Sequence, residues 1–443
     1  MRKILAVWTA KMLGVLGRLM GKKSSSAPGS IALKICPNLI TLLSRNIRKG
    51  TVVVCGTNGK TTTNNLLYTA LTGAGYTVVC NNVGANMLSG VATALALGCG
   101  LFGTKKADYA CFEVDEATCV RVFDHLIPDY MVVTNIFRDQ TDRYGDTAAV
   151  LGYLERAVHK APGIKLILNG DDPITSRLGQ TLPDAVYFGV GEQALSEKLP
   201  DDEGKICMDC GGELSYNVLH YSQLGDWFCP QCGKSRPVLN FTAANVDMTG
   251  SLKFTINGLP VDLNYKGFYN IYNLLAAYSV LSVMCAVPID AVNGYLDSYN
   301  PQNGRMEEFS INGKPFILNL AKNPAGFNQT ISTVLSDLRT KDIILAVNNK
   351  ESDGVDVSWL RDVAFGRLCG DKMVSLSLSG ECRDELAQRL EDVGINFYVT
   401  EDIGIAIEQA RESGAEVCYV LVNYTMLFGT QDILKKLAKK KKS

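Results

Sequence analysis

The sequence predicts an α/β protein: a central domain with a P-loop-type phosphate turn, a four-cysteine ribbon inserted in it, and a C-terminal α/β domain of Rossmann-like pattern. Three observations carry this. A β-branched run at 51–54 leads into Gly56-Thr57-Asn58-Gly59-Lys60-Thr61-Thr62-Thr63, and a helical pattern follows at 64–75. Short apolar runs at 77–80, 109–114, 130–134, 165–168 and 186–188 alternate with helical stretches such as 146–160. The same alternation restarts after a composition change near Gln302, with strands expected at 316–320, 343–347, 373–378, 397–399 and 417–422, and helices at 383–393 and 403–412. Alternating strands and helices argue for parallel sheets with ligands at the carboxyl ends of the strands. A chain of 443 residues is also too long for one core.

In chain order, residues 1–23 are apolar but interrupted by Lys11 and Arg18. That is too polar for a signal peptide or a bilayer span, so an amphipathic helix packing on the first domain is expected, with membrane-surface contact as the alternative. A Ser/Pro/Gly linker at 24–29 closes this region, giving expected divisions at 1–30, 31–300 and 301–443. Next comes the phosphate turn. Its glycines let backbone N–H groups approach an anion, the helix N-terminus and Lys60 supply positive charge, and the Thr61 hydroxyl can ligate Mg2+. Val54 stands where the standard G-x-x-x-x-G-K-[ST] motif has its first glycine, so the match lies in the strand–turn–helix context.

Two C-x-x-C pairs, Cys207/Cys210 and Cys229/Cys232, fall in a cysteine-rich insert at 205–237. Two such knuckles aim four thiolates at one point, the donor set of a structural Zn2+ site with no position left for substrate. Fourteen cysteines without a secretory signal suit a reducing cytosol, where clustered cysteines favour metal over disulfide; the scattered ones read as core. Short alternating stretches at 239–241, 251–256 and 260–265 follow, and a helix starts near Asn270. The net charge of −1 offers no case for nucleic acid. The C-terminal lysines, 435–436 and 439–442, read as a solvated tail or a contact for an anionic membrane face.

Polar groups collect at strand ends. Glu113 ends the strand at 109–114 and can hold Mg2+ directly or through water. Thr134 and Asn135 end the next, and Asn169-Gly170-Asp171-Asp172-Pro173 a third, all facing the same crevice in a parallel sheet. Three histidines, at 125, 159 and 220, do not sit near a Gly-Cys-Gly elbow, so the chain lacks the Cys–His pair of a glutaminase.

The segments GTNGKTTT, FEVDEA, TNIFRDQTDRYG, NGDDP, YNIYNLLAA and GRMEEF together resemble the Mur ligase superfamily; the four-cysteine insert, LAKNPAGFNQ and ESDGVDVSWL resemble its MurT family. The resemblance covers nearly the whole chain. It implies ATP-dependent activation of a carboxylate as an acyl phosphate, here the α-carboxylate of D-isoglutamate in lipid II. Ammonia from a partner GatD-type glutaminase would then attack to give D-isoglutamine, in the cytoplasm at the inner face of the plasma membrane. Carried over by motif, Gly56, Thr57, Asn58, Gly59, Lys60, Thr61 and Thr62 would hold the phosphates, with Thr61 and Glu113 on Mg2+. Asn270 and Asn273 would meet the adenine, and Arg305 would lie near phosphates or ribose. Asp353 would complete the partner's Cys–His pair, and Lys322, where Mur ligases often have histidine, is a candidate substrate or phosphate contact. Competing readings are a stand-alone ligase of Mur or folylpolyglutamate type and a nucleotide-binding scaffold without chemistry.

Overall fold

The computed structural model describes residues 1–19, 26–81, 85–139, 146–182, 184–191, 205–248, 251–263, 267–284, 289–296, 304–351 and 353–439. It divides into two compact units. The first comprises Met1–Phe137, Asp146–Asn264 and Tyr269–Tyr299; the second comprises Arg138–Gly145, Tyr265–Phe268 and Asn300–Ser443.

The first unit opens with three helices, α1 (Arg2–Leu19), α2 (Ala27–Ile35) and α3 (Leu39–Ser44). The expected linker at 24–29 is corrected in its second half: Pro28 occupies the first turn of α2, where its fixed φ suits a helix and its missing N–H costs nothing. Residues 24 and 25 lie outside the described set. The sheet then begins. In chain order come β1 (Ile47–Cys55), α4 (Lys60–Gly73), β2 (Val78–Cys80), α5 (Leu88–Gly98), β3 (Ala107–Glu113), α6 (Glu116–Val122), β4 (Tyr130–Val133), α7 (Thr147–His159), β5 (Lys165–Asn169), α8 (Pro173–Arg177) and β6 (Val186–Val190). β7 (Ser215–Tyr221) and β8 (Leu224–Phe228) form a separate antiparallel pair, and β9 (Phe241–Asp247), β10 (Leu252–Ile256) and β11 (Leu259–Leu263) rejoin the main sheet. α9 (Tyr269–Met284) and α10 (Ile289–Leu296) complete the unit.

The nine strands run in the order β11-β10-β9-β6-β5-β4-β1-β3-β2. Pairing is parallel from β2 to β9 and antiparallel through β10 and β11. β1 has β3 on one side and β4 on the other, so the direction of winding reverses there. Such a switch point opens a crevice at the carboxyl ends of the strands. β1 is buried without interruption from Gly50 to Cys55, mostly by apolar residues, as expected where helices cover both faces. The strand is longer than the expected 51–54, running from Ile47 to Cys55, with Gly50 and Thr51 in parallel register with Tyr109 and Ala110.

The second unit contains β12 (Glu307–Ile311), β13 (Lys314–Leu320), α11 (Pro324–Ser336), β14 (Lys341–Ala346), β15 (Met373–Ser379), α12 (Arg383–Asp392), β16 (Tyr398–Val399), α13 (Ile403–Glu412), β17 (Val417–Val422) and α14 (Tyr424–Lys439). Its sheet order is β12-β13-β17-β14-β15-β16, parallel except for β12. Two apolar layers flank the sheet, one around Phe327, Leu345 and Tyr419, the other around Phe316, Ile344 and Val420. Lys435, Lys436 and Lys439, expected as a tail, belong to α14; Lys436 and Lys439 occupy its last turn, where cations suit the negative end of the helix. The remaining lysines, 440–442, lie outside the described residues.

Most scattered cysteines are core residues, including Cys55, Cys111, Cys119 and Cys418. Cys369 is the correction, since it is exposed, and Cys285 lies outside the described residues.

Candidate functional site

The chain leaves β1 at Cys55 and turns through Gly56 (φ 115°) and Gly59 (φ 87°) before α4 starts at Lys60. Both glycines are required twice over. Their positive φ is strained for other residues, and their neighbours leave no room for a side chain. A Cβ on Gly56 would lie 2.3 Å from Thr134 Oγ1, and one on Gly59 2.1 Å from Asn273 Oδ1.

Lys60 is buried with its ammonium over the turn. Nζ donates to Gly56 O, to Thr57 O at 3.2 Å and to Glu116 Oε1 at 3.0 Å. The same Glu116 oxygen accepts from Gly56 N at 3.0 Å. Burial works against the charged lysine. Glu116, Asp115 and Glu113 outweigh it and hold the ammonium's pKa above the ordinary lysine value. The lysine is therefore a fixed cation at neutral pH, in the place where a helix N-terminus also favours an anion.

In the first turn of α4, Thr61 Oγ1 donates to Glu113 Oε2 at 2.8 Å. A hydroxyl and a carboxylate this close are two hard oxygen donors of the kind Mg2+ takes. Glu113 is in turn set by Asn81, whose amide accepts from Glu113 N at 2.9 Å and donates to Glu113 O at 2.8 Å.

The rest of the turn is tied to the chain after β4. Thr57 N donates to Asn135 O at 2.8 Å, and Thr57 Oγ1 exchanges hydrogen bonds with the Phe137 backbone. Asn58 N donates to Asn135 Oδ1 at 2.9 Å, while Thr134 Oγ1 and Asn135 Nδ2 donate to Asn58 O. The side-chain hydroxyl of Thr57 thus shapes the loop. Thr62 is buried in the first turn of α4. Asn270 and Asn273 lie on α9 and pair at 3.0 Å, with Asn273 against Gly59. The amides expected at an adenine pocket therefore back the glycine turn before α4.

The third polar strand end, 169–173, departs from expectation. Asp171 and Asp172 do not face an open crevice; both are fully buried and their carboxylates are spent on the fold. Asp171 accepts from Val190 N at 2.7 Å, Tyr272 OH at 2.7 Å and Arg236 Nη1 at 2.9 Å. Asp172 accepts from Ile136 N at 2.7 Å and Gln223 Nε2 at 2.6 Å and caps α8 through Ile174 N. Burial pushes both carboxyls above the usual Asp range.

Those bonds anchor the cysteine insert. The four Sγ atoms of Cys207, Cys210, Cys229 and Cys232 lie within 4.8 Å of one another. Each pair is folded by a turn whose glycine, Gly211 or Gly233, donates back to the first cysteine's carbonyl at 2.9 Å. Four convergent thiols fit one tetrahedral metal ion. Beneath them Leu214 and Trp227 form a core too small to stand alone, and Trp227 Nε1 reaches Gly170 O at 3.0 Å.

Arg305 and Asp353 belong to the second unit. Arg305 is half-buried in the turn before β12. Asp353 is buried beyond β14, where it accepts from the N–H of Thr425 at 3.0 Å and from its hydroxyl. Burial raises its carboxyl's pKa, and the Thr425 bonds work in the other direction. Lys322 is engaged within this unit by Asp139 at 2.6 Å.

Sequence reasoning missed Glu116 and Asn81. Glu116 reads as an ordinary first-turn helix acid and Asn81 as a turn residue; only the parallel packing of β1 and β2 against β3 brings them to Lys60 and Glu113.

The chain resembles known proteins along most of its length. The Mur ligase middle domain matches residues 54–219, and the MurT ligase C-terminal domain matches 320–427. The chain is 34% identical over 431 residues to the lipid II isoglutaminyl synthase (glutamine-hydrolyzing) subunit MurT of Staphylococcus aureus strain COL, covering 96% of each. It is 32% identical to the subunit of the same name from Streptococcus pneumoniae, covering 95% of this chain and 94% of that one. Among solved structures, a pseudomurein peptide ligase type C from Methanothermus fervidus shares the fold at TM-score 0.69 and 21% identity, over 89% of this chain and 80% of the other. MurF ligase from Thermotoga maritima in complex with ADP does so at TM-score 0.63 and 15% identity, over 93% and 85%. The chain belongs to the MurT family of Mur-type ligases.

Proposed function

We propose that this chain is the synthetase subunit of a lipid II isoglutaminyl synthase. It amidates lipid II during peptidoglycan synthesis, using ATP and ammonia released by a GatD-type glutaminase subunit. The observation that carries the reading is the end-to-end similarity to two MurT subunits. In this reading an oxygen of the D-isoglutamate α-carboxylate attacks the γ-phosphorus of ATP, and ADP leaves. Ammonia then attacks the acyl carbon, and phosphate departs with that oxygen.

The residues have physical parts in this sequence. Lys60 and the backbone amides of 56–62 hold the β- and γ-phosphates, and Lys60 exchanges its Glu116 contact for phosphate oxygens. Thr61 and Glu113 hold Mg2+, which neutralises phosphate charge when bound. Asp353 orients the partner's catalytic histidine, the part an acid plays in a triad. Asn270 and Asn273 fix the nucleotide side of the turn, and Arg305 contacts phosphate or ribose. The four cysteines hold a structural Zn2+, which supplies folding energy to the insert. The reaction belongs at the cytoplasmic face of the membrane, where a lipid-linked precursor is exposed to ATP.

The test is ADP release from lipid II and ATP, with ammonium salts alone and then with glutamine plus the glutaminase. Turnover with ammonium, and with glutamine only when the partner is present, is expected. Turnover with a free amino acid and no partner would instead identify a stand-alone ligase, and no turnover with either nitrogen source a scaffold. Asp353→Asn should impair glutamine-dependent amidation far more than ammonium-dependent amidation; equal loss in both would remove its part in the triad.

A further inference from the structure

α1 has two apolar faces. The inner face is made of small side chains, Ala6, Val7, Ala10 and Gly14, and packs on α2 and α5. On the opposite face, at three- and four-residue spacing, stand Leu5, Trp8, Met12, Leu16 and Leu19, between 47% and 79% exposed. At 1.5 Å per residue this stripe is roughly 20 Å long. Single exposed apolar residues are ordinary, but a contiguous stripe of large ones marks a contact surface. A helix buried on one face normally turns polar residues outward, and this one does not.

The stripe continues beyond the helix. Trp8 Nε1 donates to Leu101 O at 2.9 Å, in the turn after α5, and Leu101 and Phe102 are 63% and 62% exposed. Cations border it: Arg2 and Arg18 at the two ends of α1, and Lys105 and Lys106 just past the turn, all exposed. The first 107 residues of the chain include no aspartate or glutamate. Thirteen lysines and arginines precede the first acidic residue of the chain, Asp108, although the whole chain carries a net charge of only −1.

We propose that the outer face of α1 and the 101–102 turn form a docking surface for an anionic phospholipid bilayer. A flat apolar stripe bearing a tryptophan, bordered by cations and lacking acids, matches the interface of such a bilayer in both polarity and charge. The large side chains enter the acyl boundary, Trp8 sits at headgroup level, and the arginines and lysines meet lipid phosphates. Spanning is not the role: among the described residues no helix is long and apolar enough to cross a membrane. The packed inner face instead holds α1 flat against its own domain. The purpose rests on the lipid-linked substrate proposed above, since docking there confines the enzyme to the plane of that substrate.

Flotation of the full chain with vesicles tests this directly. Wild type is expected to float with phosphatidylglycerol–phosphatidylcholine vesicles, with a blue shift in Trp8 emission, and much less with phosphatidylcholine alone. Met12→Gln combined with Leu16→Gln should lower the partition coefficient about 100-fold, roughly tenfold for each apolar side chain withdrawn. Arg18→Glu should weaken binding several-fold at low salt and little at high salt. All three positions are exposed, and unchanged circular-dichroism melts verify that the variants fold. Failure of wild type to float, equal flotation of the variants, or self-association that the double variant abolishes in the absence of vesicle binding overturns the proposal; the last would assign the face to a second copy. Flotation needs no catalysis, and amidation of a short-chain, water-soluble lipid II analogue needs no membrane, so each reading can fail without the other.

Discussion

Two pairs of buried acids stand at strand ends of the same sheet, and they are used in opposite ways. Asp171 and Asp172, after β5, are saturated by groups of the fold itself: a tyrosine, an arginine, a glutamine and three backbone amides. Glu113 and Glu116, at and after β3, are met by Lys60, Thr61 and the Gly56 amide, the groups a nucleotide phosphate and its metal would also seek. The first pair closes the structure around the cysteine insert. The second holds a cation and a hydroxyl in place. Burial alone therefore does not say what a carboxylate holds; the identity of its partners does.

The comparison can be broken experimentally, and the largest expected effect is at Lys60. Lys60→Ala should reduce ATP-dependent amidation by at least about 1,000-fold with either nitrogen source, since it removes the fixed cation of the phosphate turn. Retained ADP release would end the phosphate-site assignment. Asp171→Ala should leave the Arg236 and Tyr272 side chains without their buried acceptor and cost about 3–5 kcal/mol, measured by urea unfolding. If it instead lowered the rate of a fully folded enzyme, the two acid pairs would not differ as described.

Cys207→Ser should abolish binding of the proposed zinc and destabilise the insert, read by metal analysis and by faster proteolysis within 205–237, with a smaller effect on ammonium-dependent turnover at saturating substrate. Cleavage unchanged in rate would show that the ribbon needs no metal. The smallest effect is a slope. Burial raises the folded pKa of Asp172, so the folded chain binds that proton more tightly than the unfolded one. Its contribution to stability is fully present below pH about 4 and is lost as pH rises through the folded pKa. Asp172→Asn should therefore remove a decline in stability above pH about 4, seen in urea melts at stepped pH. An unchanged slope would mean the carboxyl is already ionised at pH 4.

Sequence alone determined the parts whose physics is local. The strand–turn–helix around Gly59 and Lys60 is legible because positive-φ glycines and a buried apolar strand are written in consecutive residues. The four cysteines are legible because two knuckles have a fixed internal spacing, and most strands of both sheets because buried parallel strands are continuous apolar runs. Tertiary structure decided the rest. Glu116 meets Lys60 across 56 residues, Asn81 sets Glu113 across 32, and Asp171 meets Tyr272 across 101. The outward stripe of α1 likewise became distinguishable from its inward one only when α2 and α5 covered the small residues. Periodicity reports that a helix has an apolar side; packing chooses which side stays in water.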